Sequence, residues 1–138
     1  MHPALAALPH GPEFRFVDDL TDLTPGQSAT GTYLLRPEAS FLAGHFPGQP
    51  ILPAVLMVEA IAQLAGVAAQ SDPAIPALPG LRLTAIRGVK IYGTAVPGET
   101  LSLHATVQGR MGPLIQAAGK VSVGDRLIAE GQVTLSGS

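Results

Sequence analysis

The sequence predicts an α+β domain in which an antiparallel β-sheet curls around one long central apolar helix. Three observations carry that expectation. Ala54 to Ala69 contains no proline and almost no polar side chain; from Leu81 onward apolar residues recur at the period of strands; and glycine- and proline-marked turns separate those strands.

Taken in order, His2 to Gly11 is punctuated by proline and reads as a loosely ordered arm with a short helical turn. Phe14 to Leu20 is the first strand-like run, and the Asp18-Asp19 pair puts its end at the surface. That acidic pair reads as a cation site or as a solvated strand end. No third acidic ligand follows at suitable spacing, which favours the second. Thr24-Pro25-Gly26-Gln27 is a turn, and Ser28 to Arg36 is the second strand of a hairpin.

After the helix, Pro73, Pro76 and Pro79 make Ser71 to Gly80 a stiff, irregular connection. Leu81 to Tyr92 is a long strand candidate, and Val96-Pro97-Gly98-Glu99 a turn. Leu101, Leu103, Ala105 and Val107 then alternate with Ser102, His104 and Thr106, as in a half-buried strand that leaves His104 exposed. Gly109 to Pro113 turns the chain into Leu114 to Val123, and Gly124-Asp125 marks a tight hairpin before Arg126 to Leu135. In that last strand Leu127, Ala129, Gly131, Val133 and Leu135 are expected on one face. An open sheet of this kind has two edges, and edge-to-edge pairing of two copies would cover one edge of each.

The helix holds the anomaly. It is about sixteen residues long, roughly 24 Å, and Pro53 suits its first position. Its polar residues Glu59, Gln63 and Gln70 fall within a strip about 60° wide, and the rest of the circumference is apolar. Such a helix belongs inside a protein core; with a carboxylate at its middle it is a poor membrane span. Glu59 then has two readings: a carboxylate that faces solvent or makes a buried hydrogen bond, or a desolvated general acid. His45, in the adjoining Gly44-His45-Phe46-Pro47-Gly48 turn, likewise either caps its loop or forms an acid-base pair with Glu59.

The composition narrows the classes. With 138 residues the chain suits a single domain spanning residues 1–138. Hydrophobic residues make up 46% and charged residues 13%, so much apolar surface must be hidden, and self-association is a direct way to hide it. The net charge of −2, without a run of Lys or Arg, points away from nucleic acid and from anionic membranes. The absence of cysteine excludes disulfides, thiolate metal sites and a cysteine nucleophile. His2, His10, His45 and His104 lack ligand spacing, so no metal is expected. Met1 to Leu8 is apolar but short and without a basic start, so a cytoplasmic location is the expectation.

The segment His45-Phe46-Pro47-Gly48-Gln49-Pro50-Ile51-Leu52-Pro53, followed by Glu59-Ala60-Ile61-Ala62-Gln63, resembles the signature of the hot-dog-fold β-hydroxyacyl-acyl-carrier-protein dehydratases of the FabA/FabZ type. Glu at position 59 brings it closer to the FabZ branch. Leu8-Pro9-His10 with Phe14 to Asp18, and Val96 to Glu99, extend the resemblance over nearly the whole chain. The resemblance implies a helix inside a curled sheet, a homodimer with sites at the subunit interface, and assembly in some members into a trimer of dimers.

It further implies cofactor-free dehydration of a 3-hydroxyacyl thioester on an acyl carrier protein, with His45 and Glu59 catalytic and Phe46, Pro53, Ala54, Val55 and Gln63 at the substrate. Gln63, one turn from Glu59, either orients that carboxylate or packs in the core. Two features depart from the family pattern: Ala54 replaces its usual Gly, and Lys90 to Thr94 is less basic than its counterpart, leaving Arg82, Arg87, Lys90 and Arg110 as carrier contacts or as ordinary surface charges. Two other readings of the same residues remain, a hot-dog thioesterase using Glu59 to activate water and a non-catalytic acyl-binding or polyketide-associated module.

Overall fold

The structure is a computed structural model and describes residues 2–42 and 50–137. Its elements follow the order β1 (Asp19–Thr24), β2 (Ser28–Leu34), α1 (Ala54–Gln70), β3 (Arg82–Ile91), β4 (Thr100–Met111), β5 (Leu114–Val123) and β6 (Arg126–Ser136), with 3-10 turns at Pro3–Ala7, Pro12–Phe14 and Ser40–Leu42. The strands form one antiparallel sheet in the order β1-β2-β4-β5-β6-β3, which leaves β1 and β3 as edges. The sheet curls around α1, which packs on β2, β4, β5 and β6, as the hot-dog expectation requires.

Alternation in β4 and β5 explains the wrapping. Leu101, Leu103, Ala105, Ile115, Ala117 and Val121 point inward, while Ser102, His104 and Thr106 point out. On α1, Met57, Leu64, Ala65 and Ala68 are fully buried, and eleven of its seventeen residues are buried in all. One contact fixes the separation of helix and sheet. A Cβ on Gly119, in the middle of β5, would lie 2.4 Å from Cγ2 of Ile61, so Ile61 occupies the space that any other residue at 119 would need.

Four expectations are corrected. Residues 14–18 are not a strand: β1 begins at Asp19, where the sequence reading ended it. Phe14 belongs to a 3-10 turn, and Phe16 packs by its ring against Phe14, Tyr33 and Phe41. The amino-terminal arm is anchored rather than loose, since Leu5 is buried in the core and the His2 N–H donates to Oδ1 of Asp19 at 3.1 Å. Pro53 is the N-cap of α1, with extended ψ of 132°, and Ala54 takes the first helical position. In β6, Val121 pairs with Ala129 but Ser122 with Leu127, so Ile128 is an extra residue that turns inward and pushes Leu127 out.

Candidate functional site

The polar strip of α1 faces a cavity of about 590 Å³. Glu59 stands at one end and Gln70 at the other, with Gly66 and Val67 between them; Leu81, Leu83 and Leu135 form the opposing apolar wall. Pro9 and His10 of the amino-terminal arm close the Glu59 end.

Gln63 is the hub. It is the buried polar residue of the core at 2% exposure, and every hydrogen-bonding atom of its amide is engaged. Its Oε1 accepts the Phe16 N–H at 2.8 Å, and its Nε2 donates to the Phe14 carbonyl at 2.9 Å and to Oε2 of Glu59 at 3.0 Å. Burying an amide without partners is costly, so these bonds fix both the 14–16 backbone and the carboxylate. The two readings of Gln63, orienting Glu59 and packing in the core, are therefore satisfied by one side chain.

Glu59 is neither fully solvated nor sealed, with a side chain 19% exposed. Its Oε2 also lies 3.4 Å from Nε2 of His10, whose ring stacks on Phe14. Gln63 and His10 thus meet the same carboxylate oxygen. His10 is the site residue that sequence reasoning missed. In the sequence His10 stands among four histidines without ligand spacing, and its place in the Leu8-Pro9-His10 opening is the signal that could have found it.

The other expected residues divide. Pro53, Ala54 and Val55 start α1, where first-turn N–H groups lack intrahelical acceptors and the helix dipole is positive; Val55 is 74% exposed there. His45 and Phe46 lie outside the described residues. Among the described residues no group of three His, Asp or Glu side chains could hold a metal ion, and no helix is long and apolar enough to cross a membrane. The acidic pair is engaged locally: Asp18 pairs with Arg36 at 3.1 Å and accepts the Leu34 N–H, while Asp19 accepts the N–H groups of Leu20 and His2. The bond to Leu20, then that to His2, holds the Asp19 carboxyl below its usual range. Burial, reinforced by Asp18, pushes the Tyr33 hydroxyl up.

The family model for the FabA-like domain matches residues 8–132. The 3-hydroxyacyl-acyl-carrier-protein dehydratase FabZ of Natranaerobius thermophilus is 36% identical, over 94% of this chain and 90% of the relative. The protein of the same name from Moorella thermoacetica is 35% identical, over 91% of this chain and 87% of the relative. Among solved structures, a chain of the dehydratase heterocomplex ApeI:P of Xenorhabdus doucetiae superposes with a TM-score of 0.83 at 14% identity, covering 100% of this chain and 92% of that one. An uncharacterised Pyrococcus horikoshii protein, PH1136, superposes with a TM-score of 0.68 at 14% identity, covering 90% and 85%. The last two likenesses establish the fold, and the first three establish the lineage: the chain belongs to the FabA-like family of hot-dog proteins, as a member of the FabZ type.

Proposed function

We propose that this chain is a 3-hydroxyacyl-acyl-carrier-protein dehydratase, which removes water from a carrier-bound 3-hydroxyacyl thioester to give the trans-2-enoyl thioester in fatty-acid or related acyl-chain synthesis. The observation that carries the proposal is the Glu59 carboxyl, oriented by Gln63 at the end of an apolar cavity. A lyase of this type needs an acid beside the leaving hydroxyl and an apolar slot for the chain, and the position of Glu59 at this cavity supports that reading.

In the proposed mechanism the α-proton passes to neutral His45 as the electron pair moves toward the thioester carbonyl. The first-turn N–H groups at Ala54 and Val55 stabilise the developing enolate oxygen, helped by the positive end of the α1 dipole. Protonated Glu59 delivers its proton to the C3 hydroxyl. Water then leaves, the C2–C3 double bond forms, and no redox partner or cofactor is required. Phe46 and Pro53 border the thioester, and the tail enters the cavity.

The active unit in this proposal is a homodimer. β3 is an open edge carrying exposed Ile86 and Ile91, and joining two such edges would satisfy its unpaired backbone groups. Glu59 of one protomer then works with the partner subunit's His45, and dimers can associate further as a trimer of dimers. Exposed Arg82, Arg87 and Lys90 and the partly exposed Arg110 offer positive charge to an acidic carrier. We place the enzyme in the cytoplasm, where acyl carrier substrates are made.

One assay tests the reading. The protein is incubated with a 3-hydroxyacyl thioester, and enoyl absorbance and free thiol are followed together. Enoyl formation without thiol is expected; thiol release would make the chain a thioesterase, and neither signal would make it a binding module.

A further inference from the structure

The outer face of the sheet carries a second concavity, of about 500 Å³, which shares no lining residue with the cavity at Glu59. Its floor is Ala118 with the backbone of Gly119 and Gly131, and its rim holds Lys90, His104, Lys120 and Glu130. These four stand in one cross-strand row: His104 of β4 opposes Lys120 of β5, Lys120 opposes Glu130 of β6, and Glu130 opposes Lys90 of β3. They take the outward positions of strands whose inward residues, Leu103, Val121 and Ala129 among them, are buried. Both lysines of the sequence are thus gathered on one small patch.

A bulge is what places Lys90 there. β3 pairs Arg87 with Gln132 and Lys90 with Glu130, three steps on one strand against two on the other. Strict alternation from the outward Arg87 would turn Lys90 inward, and the extra residue returns it to the outer face. Gly88 makes the bulge with φ of 63°, in the left-handed region that favours glycine, while Val89 packs inward on the bare backbone of Gly131.

Neither ammonium is neutralised locally: among the described residues Lys90 and Lys120 make no hydrogen bond or ion pair. Glu130 lies between them, but its Oε2 accepts the Tyr92 hydroxyl at 2.6 Å. One carboxylate flanked by two lysines leaves a local positive excess in a chain whose net charge is −2. The lysine stems are rooted two strands apart, about 10 Å, a separation that two four-carbon side chains can close around one small group. Thr106 adds a hydroxyl, held 3.2 Å from Nε2 of His104. We propose that this concavity is a binding site for a phosphoryl dianion, free or at the end of a nucleotide, gripped by Lys90 and Lys120 with His104 and Thr106 beside them. Lysine serves phosphate as a point charge, and a hydroxyl and an imidazole supply the directional bonds. The site lies across the sheet from Glu59 and does not depend on the reaction proposed there.

The full-length protein is titrated with inorganic phosphate and, separately, with ADP at constant ionic strength. The His104 ring resonance is followed by NMR and assigned by its loss in His104→Gln. A saturable shift is expected; one with phosphate identifies the free anion as ligand, and one with ADP alone identifies the nucleotide. Lys90→Met and Lys120→Met keep the apolar stem of each side chain and are each expected to weaken binding at least about fivefold. Glu130→Gln removes the like charge beside the anion and is expected to tighten binding. Arg126→Met removes an exposed cation that pairs with Glu99 outside the concavity, and affinity is expected to stay as in the wild type. No saturable shift with either ligand overturns the inference. So does equal affinity in the wild type and both lysine variants, or a loss in Arg126→Met as large as theirs, which would mark diffuse attraction instead of a site.

Discussion

Nε2 of Gln63 donates to Oε2 of Glu59 at 3.0 Å, while the same amide holds the Phe14 carbonyl and the Phe16 N–H. The carboxylate is thereby tied to a backbone segment that lies 47 to 49 residues from Gln63 in sequence. Removing the amide disturbs both at once. Gln63→Leu is expected to lose about 2–4 kcal/mol of stability, because the Phe16 N–H and the Phe14 carbonyl are left unpaired, and to lower kcat for dehydration by more than tenfold. Urea titration and steady-state kinetics on the same variant check both effects. Loss of stability with unchanged kcat would show that the bond to Glu59 does not matter to the reaction.

Glu59→Gln keeps the shape of the side chain and removes the carboxyl that the proposed mechanism uses as its acid. Enoyl formation is expected to fall by about a thousandfold, within the range of general acid-base catalysis, with a melting temperature close to that of the wild type. A variant that retains the wild-type rate would exclude Glu59 as the acid.

His10 gives a separate expectation. His10→Phe preserves a ring to stack on Phe14 but takes away the nitrogen 3.4 Å from Glu59. The expected result is a fall in kcat of about tenfold, or ~1.4 kcal/mol in the barrier, with little change in KM. Equal kcat values would show that the contact is packing alone.

A shared site predicts complementation between subunits. His45→Ala and Glu59→Gln are each expected to be inactive as homodimers, but unfolding and refolding them together makes mixed dimers with one intact site. Random pairing then restores about a quarter of the wild-type rate. If both groups served from the same protomer, no activity would return.

Tyr33 sets an alkaline limit. Its folded value is raised above the ordinary value of 10.0, first by burial and then by Asp18, so the folded protein holds this proton more tightly than the unfolded chain. The stability this gives is fully present below pH 10.0 and is lost as pH rises through the folded value. Tyr33→Phe should flatten that part of the stability curve. Tyr92, raised mainly by its hydrogen bond to Glu130, titrates in both proteins, so the difference between the two curves isolates Tyr33.

Much of the architecture was legible because its signals are local. Pro53 and the absence of proline up to Gln70 marked α1 almost to the residue; Gly124-Asp125 marked the end of β5, whereas the turn read over Gly109 to Pro113 is shorter, since β4 runs on to Met111. The error at residues 14–18 has a physical cause. Phe14, Phe16 and Val17 have the propensity of a strand, but two of the segment's backbone groups bond to the Gln63 side chain instead of a neighbouring strand. A side-chain partner 47 residues away leaves no period in the sequence. Leu127 was misassigned because a one-residue bulge reverses the alternation and no glycine marks it. The Glu59-Gln63 pair was visible from its i, i+4 spacing, whereas His10 reaches Glu59 only through the fold of the arm.

Gly119 has a consequence for how this scaffold can diversify. Because Ile61 rests directly on bare backbone there, α1 cannot sink further toward the sheet, and a bulkier residue at 119 would lift the helix and carry Glu59, two positions earlier, with it. The acid's height above the strands is set by the smallest side chain in the sheet. Variation in the cavity is therefore confined to the walls away from this contact, where residues can be exchanged without moving Glu59.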